Sequence, residues 1–321
     1  MSMEIKLLPQ NIIDAANRIE SYIRETPLEF SPYYSDLSGS KVWLKLENLQ
    51  ITGSFKARGA FNKILLLSEK QKRDGCVTAS SGNHGAASAC AMRELGVNGL
   101  VFVPEGTSTI KVDAIKRSGC EVRFFGKDGV DTENYARRYA TENNLTYLSP
   151  YNDKEVISGQ GTCGKEIVSQ LPQCDAVFVA IGGGGLISGI AAYMKSLLPH
   201  IQVIGCQPSA SAVMAHSVKS GKIIDMISHP TLSDGTAGGI EEGAITFDLC
   251  QKYVDHYELV SEQQIKESMQ VFIDVHRMLI EGAAGVALAG FLARKDLYKG
   301  KNIAIVVCGG NISRKTLASV I

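Results

Sequence analysis

The stretch Thr52-Gly53-Ser54-Phe55-Lys56-Ala57-Arg58-Gly59-Ala60 sets one lysine between a glycine-serine turn and a helix-like run. A lysine is ordinarily a solvated charge, and these nine residues alone favour that reading. An amine used as a nucleophile or base needs three further things: a carbonyl partner, a cradle for that partner's anionic group, and surroundings that keep the amine neutral. Other parts of the chain offer candidates for each.

Gly182-Gly183-Gly184-Gly185-Leu186 follows the apolar run Ala176–Ile181 and opens a helical pattern. Four consecutive glycines cost conformational entropy that a plain connection would not justify, and they let backbone amides at a helix start approach a dianionic phosphate. The Gly-Lys-Ser/Thr of a P-loop is absent. A dinucleotide fingerprint also fails, because Ile187 or Ser188 stands where its last glycine belongs and the next strand ends in Gln207-Pro208, with no carboxylate for a ribose. A mononucleotide-sized phosphate such as that of pyridoxal phosphate fits better.

Ser80-Ser81-Gly82-Asn83-His84-Gly85 also joins a strand pattern to a helix, and its hydroxyls and exposed N–H groups suit a substrate carboxylate. A plain helix cap by Ser81 or Asn83 explains one of these residues but not the whole polar cluster. His84 has no acidic neighbour in sequence to make it a general base. Cys308-Gly309-Gly310-Asn311 ends a third apolar strand, and a neutral thiol against a ring nitrogen is its best functional reading beside that of a buried filler.

The elements that must carry these stretches alternate. Strands are expected at 76–79, 99–103 and 121–125, with helices at 83–95, 108–117 and 130–142; a second series has helices at 154–170, 186–197 and 210–219, with strands at 176–181 and 202–206. Further helices are expected at 262–278 and 284–293, then the strand 303–307 and a last helix. An amphipathic helix over 11–24, a strand at 42–47 and a helix over 55–67 precede the first series. The fold class is therefore α/β, with two open, twisted parallel-sheet domains. From element order, residues 1–72 and 151–321 form one large discontinuous domain and 73–150 a small one.

With 321 residues and 45% hydrophobic content, the chain has material for a sizeable core. Lys+Arg and Asp+Glu are each 33, so the net charge of zero points away from nucleic acid and membrane surfaces and towards a small-molecule partner. No leader is expected from Met1–Lys6 and no apolar run would span a bilayer, which makes the cytoplasm the expected compartment. The eight cysteines are scattered singly, with neither Cys-x-x-Cys nor matching histidines, so disulfides and structural zinc are not expected.

Taken together, Gly-Ser-Phe-Lys at 53–56, Ser-Ser-Gly-Asn-His-Gly at 80–85, the tetrad at 182–185 and Gly-Gly-Asn at 309–311 resemble the fold-type-II pyridoxal-phosphate enzymes, tryptophan synthase β-like in fold, and among them the serine/threonine dehydratase and serine racemase group. The resemblance implies that Lys56 holds the cofactor aldehyde as an internal aldimine and later takes the substrate α-proton. It implies that Phe55 stacks on the ring, Asn83 bonds the phenolic oxygen, Gly182, Gly183, Gly184, Gly185 and Leu186 hold the phosphate, and Cys308 replaces the serine that commonly faces the pyridine nitrogen. Ser80, Ser81, Gly82, Asn83 and His84 would bind an amino-acid substrate.

The implied activity is an ammonia-lyase on a 3-hydroxy amino acid such as L-threonine or L-serine, in a homodimer. A racemase using Lys56 and Ser81 as opposite-face bases is the alternative, and a silent cofactor-binding homologue is a third reading that the intact Lys56 argues against. Gln207 stands where metal-dependent relatives place a carboxylate, so no cation site of that kind is expected. The chain stops soon after Asn311, so feedback through a C-terminal regulatory domain is not expected. Asp234–Gly243 resembles the threonine-dehydratase-like proteins of hydroxyectoine catabolism, and Glu281 matches a family glutamate near the cofactor, or else is a helix-terminal acid.

Overall fold

In the computed structural model, which describes residues 3–321, two parallel sheets are built from ten strands. Met1 and Ser2, on which the expectation of no leader partly rests, lie outside the described residues. The strands are β1 (Leu28–Phe30), β2 (Lys41–Leu46), β3 (Cys76–Ala79), β4 (Gly99–Val103), β5 (Glu121–Phe124), β6 (Thr146–Tyr147), β7 (Ala176–Ala180), β8 (Gln202–Pro208), β9 (His256–Val260) and β10 (Asn302–Val307). The six-stranded sheet runs β1-β2-β10-β7-β8-β9 and the four-stranded sheet β5-β4-β3-β6. Only β1 is antiparallel to its neighbour. Among the described residues no helix is long and apolar enough to cross a membrane.

The larger sheet is apolar because both of its faces are covered. Every residue of β7 is buried, as are five of six in β10. The helix Gly282–Arg294 is apolar nearly all round and lies against β7, β8 and β10, as a helix enclosed on all sides must. Small residues also set the spacing of the helices that matter for the site. A Cβ on Gly159, in the helix Lys154–Gln170, would lie 2.6 Å from the Arg58 carbonyl, and one on Gly189, in the helix Gly185–Leu197, would lie 2.5 Å from the Ile157 carbonyl. The helix that begins at Lys56 and the helix that follows the tetrad are thus both pressed, backbone to backbone, against one intervening helix.

Several elements differ from the sequence reading. The first helix spans Met3–Ile19, not 11–24. Ile23 keeps the helical spacing, yet the chain turns after Ile19, whose carbonyl accepts from both Tyr22 and Ile23, and Tyr22 stacks on Phe61 with ring centroids 5.4 Å apart. Tertiary packing overrides the local period there. The expected helix 210–219 begins as a 3-10 turn, Ser209–Ser211, before the helix Val213–Ser220. Strands β1, β6 and β9 and the helices Pro32–Ser38, Glu69–Asp74 and Ile245–Tyr253 were not anticipated.

Candidate active site

The tetrad follows β7, the Ser80–Gly85 loop follows β3, and Cys308 follows β10, so all three stretches leave carboxyl ends of parallel strands, where open α/β sheets bind ligands. The turn before Lys56 is tied to the last of them. Ser54 and Gly309 form an isolated antiparallel bridge, Phe55 N donates to Cys308 O (3.1 Å), and Gly310 N donates to Gly53 O (2.9 Å). Asn311 Nδ2 donates to Thr52 O (2.8 Å) and to Asn83 Oδ1 (2.7 Å), which links this bracket to the Ser80 loop.

Lys56 opens the helix Lys56–Leu65, with Phe55 in the N-cap position. Its amine donates to Pro150 O (2.7 Å) and sits 5.2 Å from the centre of the Phe55 ring. Burial lowers its pKa to about 8, against the upward pull of Cys308, Glu133 and Glu281. The shift moves the amine towards the neutral form that the chemistry asks for.

Two residues along the same helix, Arg58 is wholly buried. Its Nε and Nη2 pair with Glu47 (2.8 and 2.7 Å), and Nη1 and Nη2 reach Glu166 (2.6 and 2.8 Å). Lys45 joins the same Glu166 and the Thr26 carbonyl. Two cations and two carboxylates thus balance. Burial pushes Glu47 up, but the Arg58 guanidinium outweighs it and holds Glu47 below the usual carboxylate range.

Around the tetrad a side chain has no room at the critical points. A Cβ on Gly183 would lie 2.4 Å from the Tyr151 ring, and Gly184 caps the next helix at φ 88°, a left-handed conformation suited to glycine. First-turn amides of that helix lack intrahelical acceptors, and Thr246 beside Gly184 carries a buried hydroxyl without a partner. Leu186 is buried at the helix start. A glycine cradle, an orphaned hydroxyl and a tuned lysine amine fit pyridoxal phosphate. Cys308 is buried, and burial raises its pKa, so it offers a neutral thiol.

In the Ser80 loop, Gly82 N donates to Ser80 Oγ (3.1 Å), and Ser80, Ser81 and Asn83 are part-exposed. Asn83 Nδ2 donates to both oxygens of Glu281 (2.8 and 2.9 Å). Glu281 occupies the N-cap position of the helix Gly282–Arg294, yet its side chain makes no cap bond. The His84 ring is buried; Nε2 donates to Leu148 O (2.9 Å), and burial, then the Lys56 charge, lowers its pKa to about 3. His84 is therefore neutral, its one N–H committed to the Leu148 carbonyl just past β6. Gln207 bonds Ile181 O and Ala215 N, so its amide serves structure. No group of three or more His, Cys, Asp or Glu among the described residues is placed to hold a metal ion.

Burial raises the Glu281 pKa to about 7, with Asp234 adding to the effect and the Asn83 hydrogen bond opposing it. The folded protein then keeps this proton to about pH 7, whereas an unfolded chain releases it near the ordinary 4.5. The stability drawn from the neutral carboxyl is full below that lower value and is lost as pH rises to 7. Glu281→Gln is neutral throughout, so its stability relative to wild type, measured by urea unfolding of the cofactor-free protein, is expected to rise by about 1–3 kcal/mol across this window. A difference that stays flat with pH would contradict the assignment.

Residues to which the sequence reading gave no individual role, Thr236 and Glu241 of the 234–243 passage among them, complete the enclosure. Tyr151 covers Gly183, Thr236 abuts Gly182, Pro150 receives the lysine, and Glu241 N donates to Tyr151 Oη (2.9 Å). Their only signal is position next to a recognised element, since each contact joins distant parts of the chain.

The sequence profile of the family described as "Pyridoxal-phosphate dependent enzyme" matches residues 19–309, and the chain belongs to that family. It is 36% identical over 312 residues to the L-threonine ammonia-lyase of Thermotoga maritima, covering 97% of this chain and 77% of that protein. It is 34% identical to the L-threo-3-hydroxyaspartate ammonia-lyase of Saccharomyces cerevisiae, over 97% of this chain and 95% of that one. In structure it is similar to the processed form of threonine deaminase isoform 2 from Solanum lycopersicum, with a TM-score of 0.94 and 34% identity over 98% of this chain and 92% of the other. The α/β fold and the cofactor class expected from the sequence are thereby shown.

Proposed function

We propose that this protein is a pyridoxal-phosphate-dependent ammonia-lyase that removes water and then ammonia from a 3-hydroxy amino acid, leaving a 2-oxo acid. The observation that carries the reading is the Lys56 amine, lowered to about pKa 8 by burial and bracketed against the strand end at Cys308. Bound pyridoxal phosphate supplies an aldehyde for amine exchange and a sink for the electrons of the substrate's α-carbon. The amides of Gly182–Leu186 would hold its phosphate, with Thr246 beside them, and Phe55 would pack on its ring. Asn83, positioned by Glu281 and Asn311, would bond its phenolic oxygen, and Cys308 would serve its ring nitrogen as a neutral weak donor.

Ser80, Ser81 and the backbone of Gly82–His84 bind the substrate carboxylate at the helix N-terminus. The Lys56 amine takes the α-proton, the bond from the β-carbon to the hydroxyl breaks, and that oxygen leaves as water after gaining a proton. The enamine released from the site hydrolyses to the 2-oxo acid and ammonia. Borohydride reduction of the holoenzyme is expected to leave a pyridoxyl group on Lys56, and L-threonine, L-serine or another 3-hydroxy amino acid to yield ammonia and oxo acid in equal amounts. A protein that takes up no cofactor would sink the proposal. Recovery of inverted substrate without oxo acid would favour the racemase reading, with Ser81 as the second base.

The discontinuous division into 1–72 with 151–321 and a small unit 73–150 is supported by the two sheets, since β1 and β2 pair into the sheet of β7–β10 while β3–β6 pair among themselves. We assign the assembly as a homodimer. Phe30, Tyr33, Leu37, Leu49 and Leu279 are exposed apolar side chains of segments at the β1–β2 side of the larger sheet, where a second copy would cover them. All eight cysteines are free, which suits a reducing compartment such as the cytoplasm.

A further inference from the structure

The substrate class can be taken further, on the basis of that lyase reading. On the helix Gly129–Glu142, Arg137 places Nη2 against two carboxylates at once, Glu133 Oε1 at 2.9 Å and Glu241 Oε2 at 2.8 Å, while its guanidinium lies over the Tyr147 ring, 4.4 Å from the centroid. Its Nε and Nη1 have no hydrogen-bond partner among the described residues. The cluster adjoins the lysine site by two routes. Glu241 N donates to the hydroxyl of Tyr151, whose ring lies on Gly183 of the cradle, and the charge of Glu133 is felt at the Lys56 amine. Among the described residues Lys111 also pairs with the 234–243 loop, but it meets Asp234 only at 3.9 Å, and both are well exposed.

One guanidinium facing two carboxylates leaves the cluster with a surplus negative charge, and both carboxylates bear on a single nitrogen. Burial raises the Glu241 pKa, so that carboxylate is held at a cost which another acceptor could relieve. Arginine's planar fork binds a carboxylate best through two nitrogens, which the present pairing through Nη2 does not use. Replacing Glu241 by a carboxylate from outside is neutral in charge and gives the fork a two-nitrogen partner.

We propose that Arg137 determines specificity by taking the side-chain carboxylate of a dicarboxylic 3-hydroxy amino acid, exchanging Glu241 for it. Tyr147 backs the guanidinium during the exchange, and Glu133 keeps its hold from the same helix. A neutral side chain such as a methyl group has nothing to offer Arg137, and the Arg137–Glu241 pair stays closed over it. Discrimination between the two kinds of substrate then rests on one charged pair, on the order of 100-fold.

The test measures ammonia release by the holoenzyme from L-threo-3-hydroxyaspartate and from L-threonine. The ratio of the two kcat/KM values is expected to favour the dicarboxylate and to fall about 100-fold in Arg137→Ala, mainly through KM. Arg137→Lys should recover a small part of the loss, and Glu241→Gln should lower KM for the dicarboxylate. If Arg137→Ala depresses both substrates equally, the residue is only a clasp between the helix and the loop, and the proposal is overturned. If wild type releases ammonia from no 3-hydroxy amino acid, the lyase reading fails instead. The specificity proposal is then decided by titration with unreactive succinate, followed by cofactor absorbance: binding lost in Arg137→Ala supports it, and equal binding by both proteins overturns it.

Discussion

Lys56→Ala is expected to lower turnover by at least about 10⁴-fold, because in the proposed mechanism Lys56 is both the amine that exchanges with substrate and the base that takes the α-proton. The phosphate cradle proposed at Gly182–Leu186 and Thr246 does not depend on this residue, since it lies on other elements. The variant should therefore still take up cofactor, more weakly, and show it by absorbance. Its thermal stability should hold or rise slightly, because burial of the amine is unfavourable, as its lowered pKa records. Retention of more than about 1% of wild-type turnover would require another base and would overturn the role given to Lys56.

The second large effect lies two residues away. Arg58→Met is expected to destabilise the protein by about 3–5 kcal/mol, since Glu47 and Glu166 would be left facing one another with only Lys45 to balance them. Glu47 has no exposed surface through which water could compensate. Adding Glu47→Gln to the variant should recover part of the loss, because the unpaired buried charge is then gone. Urea unfolding of the three proteins checks both statements, and a loss below about 1 kcal/mol would mean that the ionic cluster adds little beyond packing. Arg58 and Lys56 share the first turn of one helix, so catalytic loss in Arg58→Met should accompany the loss of stability.

The sequence made the centre of this molecule legible and left its periphery dark. Strand β7, the tetrad and the helix after it were readable because a fully buried strand is continuously apolar and four glycines have few structural uses. The bracket of Ser54 with Gly309 could be suspected only from a family pattern, as nothing local joins them. Strands β1 and β6 have three and two residues, too few for any period to register. Strand β9 and the helix Ile245–Tyr253 followed a loop-rich stretch that masked them.

The site shows the same divide. Lys56, Asn83 and the glycines have unusual local surroundings and so stand out. Tyr151, Glu241 and Arg137 have ordinary ones, and their meaning comes from contacts across distances that no window along the chain can span. Glu281 was ambiguous between cap and site group. Its position is that of an N-cap, but its bonds go to Asn83.

The bracket around Lys56 also has a consequence for the order in which the molecule is made. Strands β3–β6 come from one uninterrupted stretch and can pair while translation continues, whereas β2 waits for β10, and the Gly53–Phe55 turn waits for Cys308, Gly309 and Gly310. A nascent chain therefore carries Lys56 without the second wall that shapes its surroundings until β10 and the residues after it have been made. The walls around Lys56 close only once β10 is in place, so a half-made chain on the ribosome has no assembled site with which to sequester the cofactor.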